Sequence, residues 1–180
     1  GGRRGVYLDP SSRVGLLRCA LLRPSAVDER KIRGEIGVHG SMDLTTALAF
    51  LSDKSQGILL TTKKDGRPQS SNVAYALDGD HILISVTDSR AKTRNLRRDP
   101  RATLHVSRGD FWAYVAVEAA VELMPVAADP HDPTVDALVE YFRALQGEHP
   151  DWDDYRRAMV ADGRLLLILH PTHAYGFVNS

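Results

Sequence analysis

The sequence predicts a mainly β domain, six mostly antiparallel strands closing into a small barrel with helices on its flanks. Asp65-Gly66 and Asp78-Gly79 each join two strand-like runs, which is the signature of a tight hairpin turn. The runs around them are short, rich in Ile, Leu, Val and Thr, and mostly alternate, so each has one face to bury. Several short antiparallel strands of this kind are most readily accommodated by closure into a barrel. The 180 residues are enough for one domain with a sizeable core.

Taken in order, Ser41 or Asp43 can cap a first helix that places Leu44, Leu48 and Leu51 on one face. Residues 57–64 form the first strand, 67–77 the return strand and 81–87 the third. Residues 89–101 form a short basic helix, capped by Ser89 or Asp88 and stopped at Pro100. Residues 101–107 are the fourth strand, Arg108-Gly109-Asp110 turns the chain, and 111–124 make a long fifth. Asp132-Pro133 opens a helix carrying Val135, Leu138, Val139, Phe142 and Leu145 on one face, and Gly147 ends it. Asp151 caps a further helix that stops at Gly163. The sixth strand starts at Arg164 and is expected to run past Pro171 to Tyr175. Its segment Leu165-Leu166-Leu167-Ile168-Leu169 does not alternate, so both faces are expected to be buried, and a dimer interface would explain the excess.

The net charge of zero hides an asymmetry. Residues 1–41 hold eight Lys/Arg and four Asp/Glu, whereas 42–180 hold fifteen and nineteen. The acidic remainder disfavours a nucleic-acid partner, which would need a broad basic surface. One cysteine, Cys19, excludes an internal disulfide and a cysteine-based metal site. No apolar run approaches the roughly 20 residues that span a membrane, and the expectation is a cytoplasmic protein. Residues 1–41 are expected to be a non-core extension, of upstream or cloning origin given Gly40-Ser41-Met42. Residues 42–180 are expected to be the domain itself.

Three stretches could carry chemistry. The basic helix has six cations in thirteen residues, against the single acid Asp99. A helix start carries partial positive charge and prefers acids, yet this one offers Arg90, Lys92 and the Thr93 hydroxyl. Such a start is unfavourable alone and favourable with a bound anion, so either a phosphate site or a solvated basic helix fits. Next, Gln69-Ser70-Ser71-Asn72, followed by Val73, puts polar groups on both faces of a strand. That suits the polar edge of a planar heterocycle, or simply a polar edge strand. Third, Trp112 and Tyr114 share a nominally polar face with Glu118 and Glu122, so a ligand, a loop or another subunit should cover them. No P-loop, G-x-G-x-x-G, G-x-S-x-G or H-E-x-x-H is present. His170 and His173 are expected on opposite sides of their strand and not as metal ligands. No side chain is nominated as an obligate acid or base, so any reactivity would come from a cofactor.

The runs DGRPQSSNV, SRAKTRNLRRDPRATLHV, FWAYVAVEAAVEL, GEHPDWDDYRRAMV and LLLILHPTHAYG, in this order, closely resemble flavin/deazaflavin oxidoreductases of the split β-barrel class. This is the superfamily related to pyridoxamine 5′-phosphate oxidase, and the nearest branch resembles the actinobacterial reductases that use coenzyme F420. The resemblance spans about residues 43–176. It implies an FMN-binding split β-barrel fold and a homodimer with cofactor sites at the subunit interface. It places the cofactor phosphate at Arg90, Lys92, Thr93 and Asn95. The ring would lie along Gln69, Ser70, Ser71, Asn72 and Val73, with Trp112 and Tyr114 near it. Arg94, Arg97 and Arg98 would be free to attract an acidic tail. The implied activity is hydride transfer from reduced F420 to an electron-poor organic acceptor. FMN-dependent oxidase or reductase chemistry is the alternative cofactor reading, and a non-catalytic deazaflavin- or tetrapyrrole-binding protein is the alternative of another class.

Overall fold

The computed structural model describes residues 40–178. Eight strands form one antiparallel sheet: β1 (Gly40–Met42), β2 (Gln56–Thr62), β3 (Pro68–Ala74), β4 (Ala76–Asp78), β5 (His81–Thr87), β6 (Arg101–Ser107), β7 (Tyr114–Leu123) and β8 (Arg164–Phe177). Among the described residues four helices accompany them: α1 (Leu44–Leu51), α2 (Ala91–Arg98), α3 (Pro133–Gln146) and α4 (Trp152–Ala161). The strand order is β3-β2-β6-β7-β8-β5-β4, with β1 also on β8. Because β3 and β4 end this order yet adjoin in sequence, the sheet must curl until its two ends meet at Tyr75. The result is a split β-barrel.

The six expected strands are all present, and two features add to them. Tyr75 breaks the return strand into β3 and β4. Its ring is fully buried in the barrel core, and its hydroxyl donates to the Leu51 carbonyl at 3.0 Å. Gly40–Met42 forms β1, paired with Gly176, Tyr175 and Ala174, so the sheet begins two residues inside the stretch expected to lie outside the domain. The remaining residues of that stretch, 1–39, with Cys19, lie outside the described residues.

Alternation decides the core. Leu59, Ile82, Ile84, Leu104, Val106, Val115, Val117, Leu165, Leu167 and Leu169 fill the barrel. Leu166 points to the other side and packs with Val135, Leu138, Val139, Tyr155 and Met159 of α3 and α4. The outer face of the non-alternating run is therefore covered at Leu166 by helices of the same chain, and Ile168 on the same face is half-buried. Strand β8 also passes Pro171, because the register against β7 shifts there. The shift lets the ladder skip Thr172, whose hydroxyl donates to the Glu118 carbonyl at 3.1 Å.

The helix caps follow their side chains. Asp43 caps α1 by accepting from the Thr46 N–H at 2.9 Å, Asp132 caps α3 and Asp151 caps α4. The exception is α2. Its N-cap is Arg90, not Ser89 or Asp88, and that residue makes no capping hydrogen bond. Asp88 instead pairs with Arg97 at 2.5 Å. No described helix is long and apolar enough to cross a membrane.

Candidate cofactor site

The split has a physical cause. Among the described residues, strand β3 pairs only with β2, and the only strand pairing of β5 on its β4 side covers His81, Ile82 and Leu83. The outer edge of β3 and the edge of β5 at Ser85–Thr87 are thus left without a strand partner. Between them lies a cavity of about 760 Å³. Its walls are Gln69, Ser71 and Val73 from β3, Ser85–Thr87 from β5, Arg90 and Lys92 at the start of α2, and Tyr141 and Phe142 from α3. Tyr155 and Met159 of α4 and Arg164 of β8 complete it. Unpaired strand edges carry free N–H and C=O groups, which can hydrogen-bond a polar planar ring.

One end of the cavity is electropositive. Arg90, Lys92 and Arg164 line it, and no Asp or Glu does. Lys92 is held below the usual lysine range, first by burial and then by the cations Arg90 and Arg164. Thr87 is the register partner of Arg164, and the Asp88 N–H donates to the Gly163 carbonyl at 2.9 Å. These contacts bring β8 against the start of α2, so the three cations share one basin.

Tyr141 bridges the split, close enough to Arg164 to feel its charge. Its hydroxyl donates to the Ala74 carbonyl of β3 at 3.0 Å, with the Ser85 backbone of β5 beside the same oxygen. Burial raises its pKa. Tyr155 lies behind, its hydroxyl donating to the Leu138 carbonyl at 3.0 Å, and burial pushes its pKa up to about 12. Both phenols are already committed as donors, so they serve as wall and latch.

The expected residues divide by position. Gln69, Ser71, Asn72, Val73, Arg90 and Lys92 meet in the cavity. Asn95 and Thr93 do not line it. The Asn95 amide, 7% exposed, donates to Gln69 Oε1 at 2.8 Å and to Thr61 Oγ1 at 3.1 Å, so it fixes the glutamine that does. The Thr93 hydroxyl turns inward to the Thr87 carbonyl at 2.8 Å. Ser70 faces outward and is exposed. The other cations are engaged within the chain: Arg94 donates to the Ser89 carbonyl, Arg97 pairs with Asp88, and Arg98 donates to the Thr62 carbonyl.

Trp112 and Tyr114 also lie elsewhere. The long strand begins at Tyr114, not at residue 111, because Phe111 sits at φ 65° in the turn before it. Tyr114 stacks on His105 with ring centroids 5.2 Å apart. Phe111 and Trp112 are 83% and 75% exposed. Phe111 and His105 border a second hollow, which shares Asn72, Val73 and Ala74 with the cavity from the opposite side.

Arg164, Ser85, Tyr141 and Tyr155 escape a reading by motif. They come from four further elements, and only the curl of the sheet brings them to β3. Nothing in the sequence around Arg164 marks it, since Asp162 two residues earlier makes it look like one half of a surface ion pair.

The cavity fits an elongated ligand with a polar planar ring and an anionic end: paired edge groups for the first, three cations for the second. The comparisons agree with the architecture. A conserved hypothetical protein from Mycobacterium tuberculosis superposes with a TM-score of 0.60 at 21% identity, over 76% of this chain and 84% of that one. A structure described as F420 reductase gives 0.53 at 27% identity, over 67% and 88%. A heme binding protein from Mycobacterium smegmatis gives 0.52 at 20% identity, over 74% and 52%. Residues 45–176 match the family described as pyridoxamine 5′-phosphate oxidase. With a split barrel, a cavity at its split and that match over most of its length, the chain belongs to the pyridoxamine 5′-phosphate oxidase family.

Proposed function

We propose that this protein is an F420-dependent oxidoreductase working in the reductive direction on an electron-poor organic acceptor. The observation that carries the reading is the joining, in one cavity, of a basic end at Arg90 and Lys92 with the unpaired polar edge of β3. Likeness to the structure described as F420 reductase supports the choice of deazaflavin.

When bound, a reduced deazaflavin supplies a hydride-donating carbon. The chain's own part is binding and orientation. Arg90 and Lys92 hold the anionic end by charge-assisted hydrogen bonds. Gln69, oriented by Asn95, and Ser71 present an amide and a hydroxyl to the ring edge. Phe142 and Met159 supply apolar wall opposite them. Such prepaid orientation lowers the barrier without any protein acid or base.

A second copy of the chain is part of the proposal. Phe111, Trp112 and Ile58 form an exposed apolar patch beside β3, with Ile58 39% exposed. In a homodimer this patch would be covered, and Trp112 and Tyr114 would reach toward the partner's ring site. Light scattering on the purified protein is expected to give a dimer, and Trp112→Ala to weaken it. A monomer at micromolar concentration contradicts the interface. Spectroscopic reoxidation of reduced F420 by conjugated acceptors tests the activity, and F420 binding with no turnover of any acceptor contradicts it.

A further inference from the structure

We infer that Arg164 is a third anion-binding side chain of the cavity, and that the basic end is matched to two negative charges rather than one. This rests on the cofactor-binding reading above and adds the charge of the group bound.

Arg164 starts β8, 66 residues beyond the end of α2, and lines the same cavity as Arg90 and Lys92. Its Nε is buried without a hydrogen-bond partner. The nearest acid oxygen, on Asp162, is 3.6 Å from Nε, beyond hydrogen-bond reach, and that carboxylate is itself more than half exposed. Its Nη1 reaches only the Ser85 hydroxyl, at 3.4 Å. A guanidinium with this little satisfaction stands next to a lysine it repels. Three cations around one space, against one acid on the rim, exceed the charge of a phosphodiester. They fit a phosphomonoester, which carries about −1.5 to −2 at pH 7 with a second pKa near 6. They fit equally a phosphodiester with a carboxylate next to it. The shared chemistry is a doubly negative terminus.

The test is fluorescence titration of the full chain with FMN, riboflavin and F420 at pH 7.5 and 5.0, using wild type, Arg164→Gln and Arg164→Lys. FMN has the monoester, riboflavin has a flavin ring without it, and F420 has the diester with carboxylates. Wild type is expected to bind FMN or F420 at least about tenfold more tightly than riboflavin, as expected for a charge-assisted contact. Arg164→Gln should lose most of that advantage with riboflavin binding unchanged, and Arg164→Lys should keep most of it.

For FMN, affinity should fall from pH 7.5 to 5.0 as the phosphate dianion takes up one proton and becomes a monoanion. Arg90, Lys92, Arg164, Asp162, Tyr141 and Tyr155 surround the site. His149 packs behind Phe142 and Tyr155, with centroids at 5.4 and 5.5 Å. Riboflavin at the same two pH values cancels any contribution from these groups.

Equal losses of FMN and riboflavin in Arg164→Gln would mean that Arg164 only shapes the slot, and would overturn the assignment. So would unchanged affinity for both FMN and F420. Should Arg164→Gln fail to fold, the wild-type profile decides for the monoester: FMN binding indifferent to pH overturns the two-charge match. Binding of FMN without F420 retires the deazaflavin reading and leaves Arg164 in place. Binding of neither overturns both.

Discussion

Asn95 donates from Nδ2 to Gln69 Oε1 at 2.8 Å, tying the basic helix to the polar strand. The same amide also donates to Thr61 Oγ1 on β2, so one nearly buried side chain sets three elements. Asn95 thus supports the site by holding Gln69 in place. Asn95→Ala leaves two acceptors without their donor in a region where Thr61 is only 3% exposed. The expected cost is about 1–3 kcal/mol in urea unfolding, with weaker ring binding because Gln69 is released. Full stability with unchanged flavin affinity would contradict the role.

Lys92 makes the ligand-free protein pH-dependent. Its pKa is lowered, by burial first and then by Arg90 and Arg164, so the unfolded chain binds this proton more tightly than the folded one. Stability linked to Lys92 must therefore rise with pH as the folded side chain deprotonates, over a window that ends at the ordinary lysine value of 10.5. Melting temperatures measured between pH 7 and 10 should show this rise for wild type and less of it for Lys92→Ala. At pH 7 the variant should melt no lower than wild type while binding anions poorly. A variant with an unchanged slope would sink the account of this lysine.

Tyr141 spans the split from α3, donating to the Ala74 carbonyl and lying against the Ser85 backbone. Tyr141→Phe removes the bridge with little change of shape. The expected loss is about 1 kcal/mol of stability, with faster amide exchange in the second half of β3. Exchange that stays at the wild-type rate would show that the split holds its width without the latch.

Gly176 lies where β8 crosses β7, opposite Val115. An added Cβ would sit 2.2 Å from the Tyr114 carbonyl oxygen and 2.9 Å from the Val115 Cα. Both are backbone atoms of a central strand, so neither can move aside cheaply. Gly176→Ala should cost about 3 kcal/mol or more, at the upper end of overpacking effects. The measure is the chemical denaturation midpoint, and a wild-type midpoint would contradict this register.

Much of this was legible in the sequence where local chemistry decides. The Asp65-Gly66 turn, the Asp132 and Asp151 caps and the alternation of β7 are local signals, and each gave its element. Lys92 and Gln69 were legible as a basic helix start and a polar strand. What could not be read were consequences of closure. Tyr75 splits a strand because its ring is needed in the barrel, and Leu166 is buried by α3 and α4, which precede it in the chain and fold onto the outside of β8. Trp112 looked like a strand residue because the alternation extends past Tyr114, while the positive φ of Phe111 ends the strand. Thr93 was named for its first-turn hydroxyl and Asn95 through the family resemblance alone, and in the folded chain both side chains turn inward toward neighbouring strands.

The central claim is that the anionic end of a deazaflavin sits at Arg90 and Lys92 with its ring along β3. Fluorescence titration of wild type and Lys92→Ala with F420 and with FMN tests it most directly. The account predicts tighter binding of F420 than of FMN by wild type. It also predicts a loss of about 1.5–3 kcal/mol in the variant, the value of a charge-assisted contact. Equal F420 affinity in wild type and Lys92→Ala would contradict it.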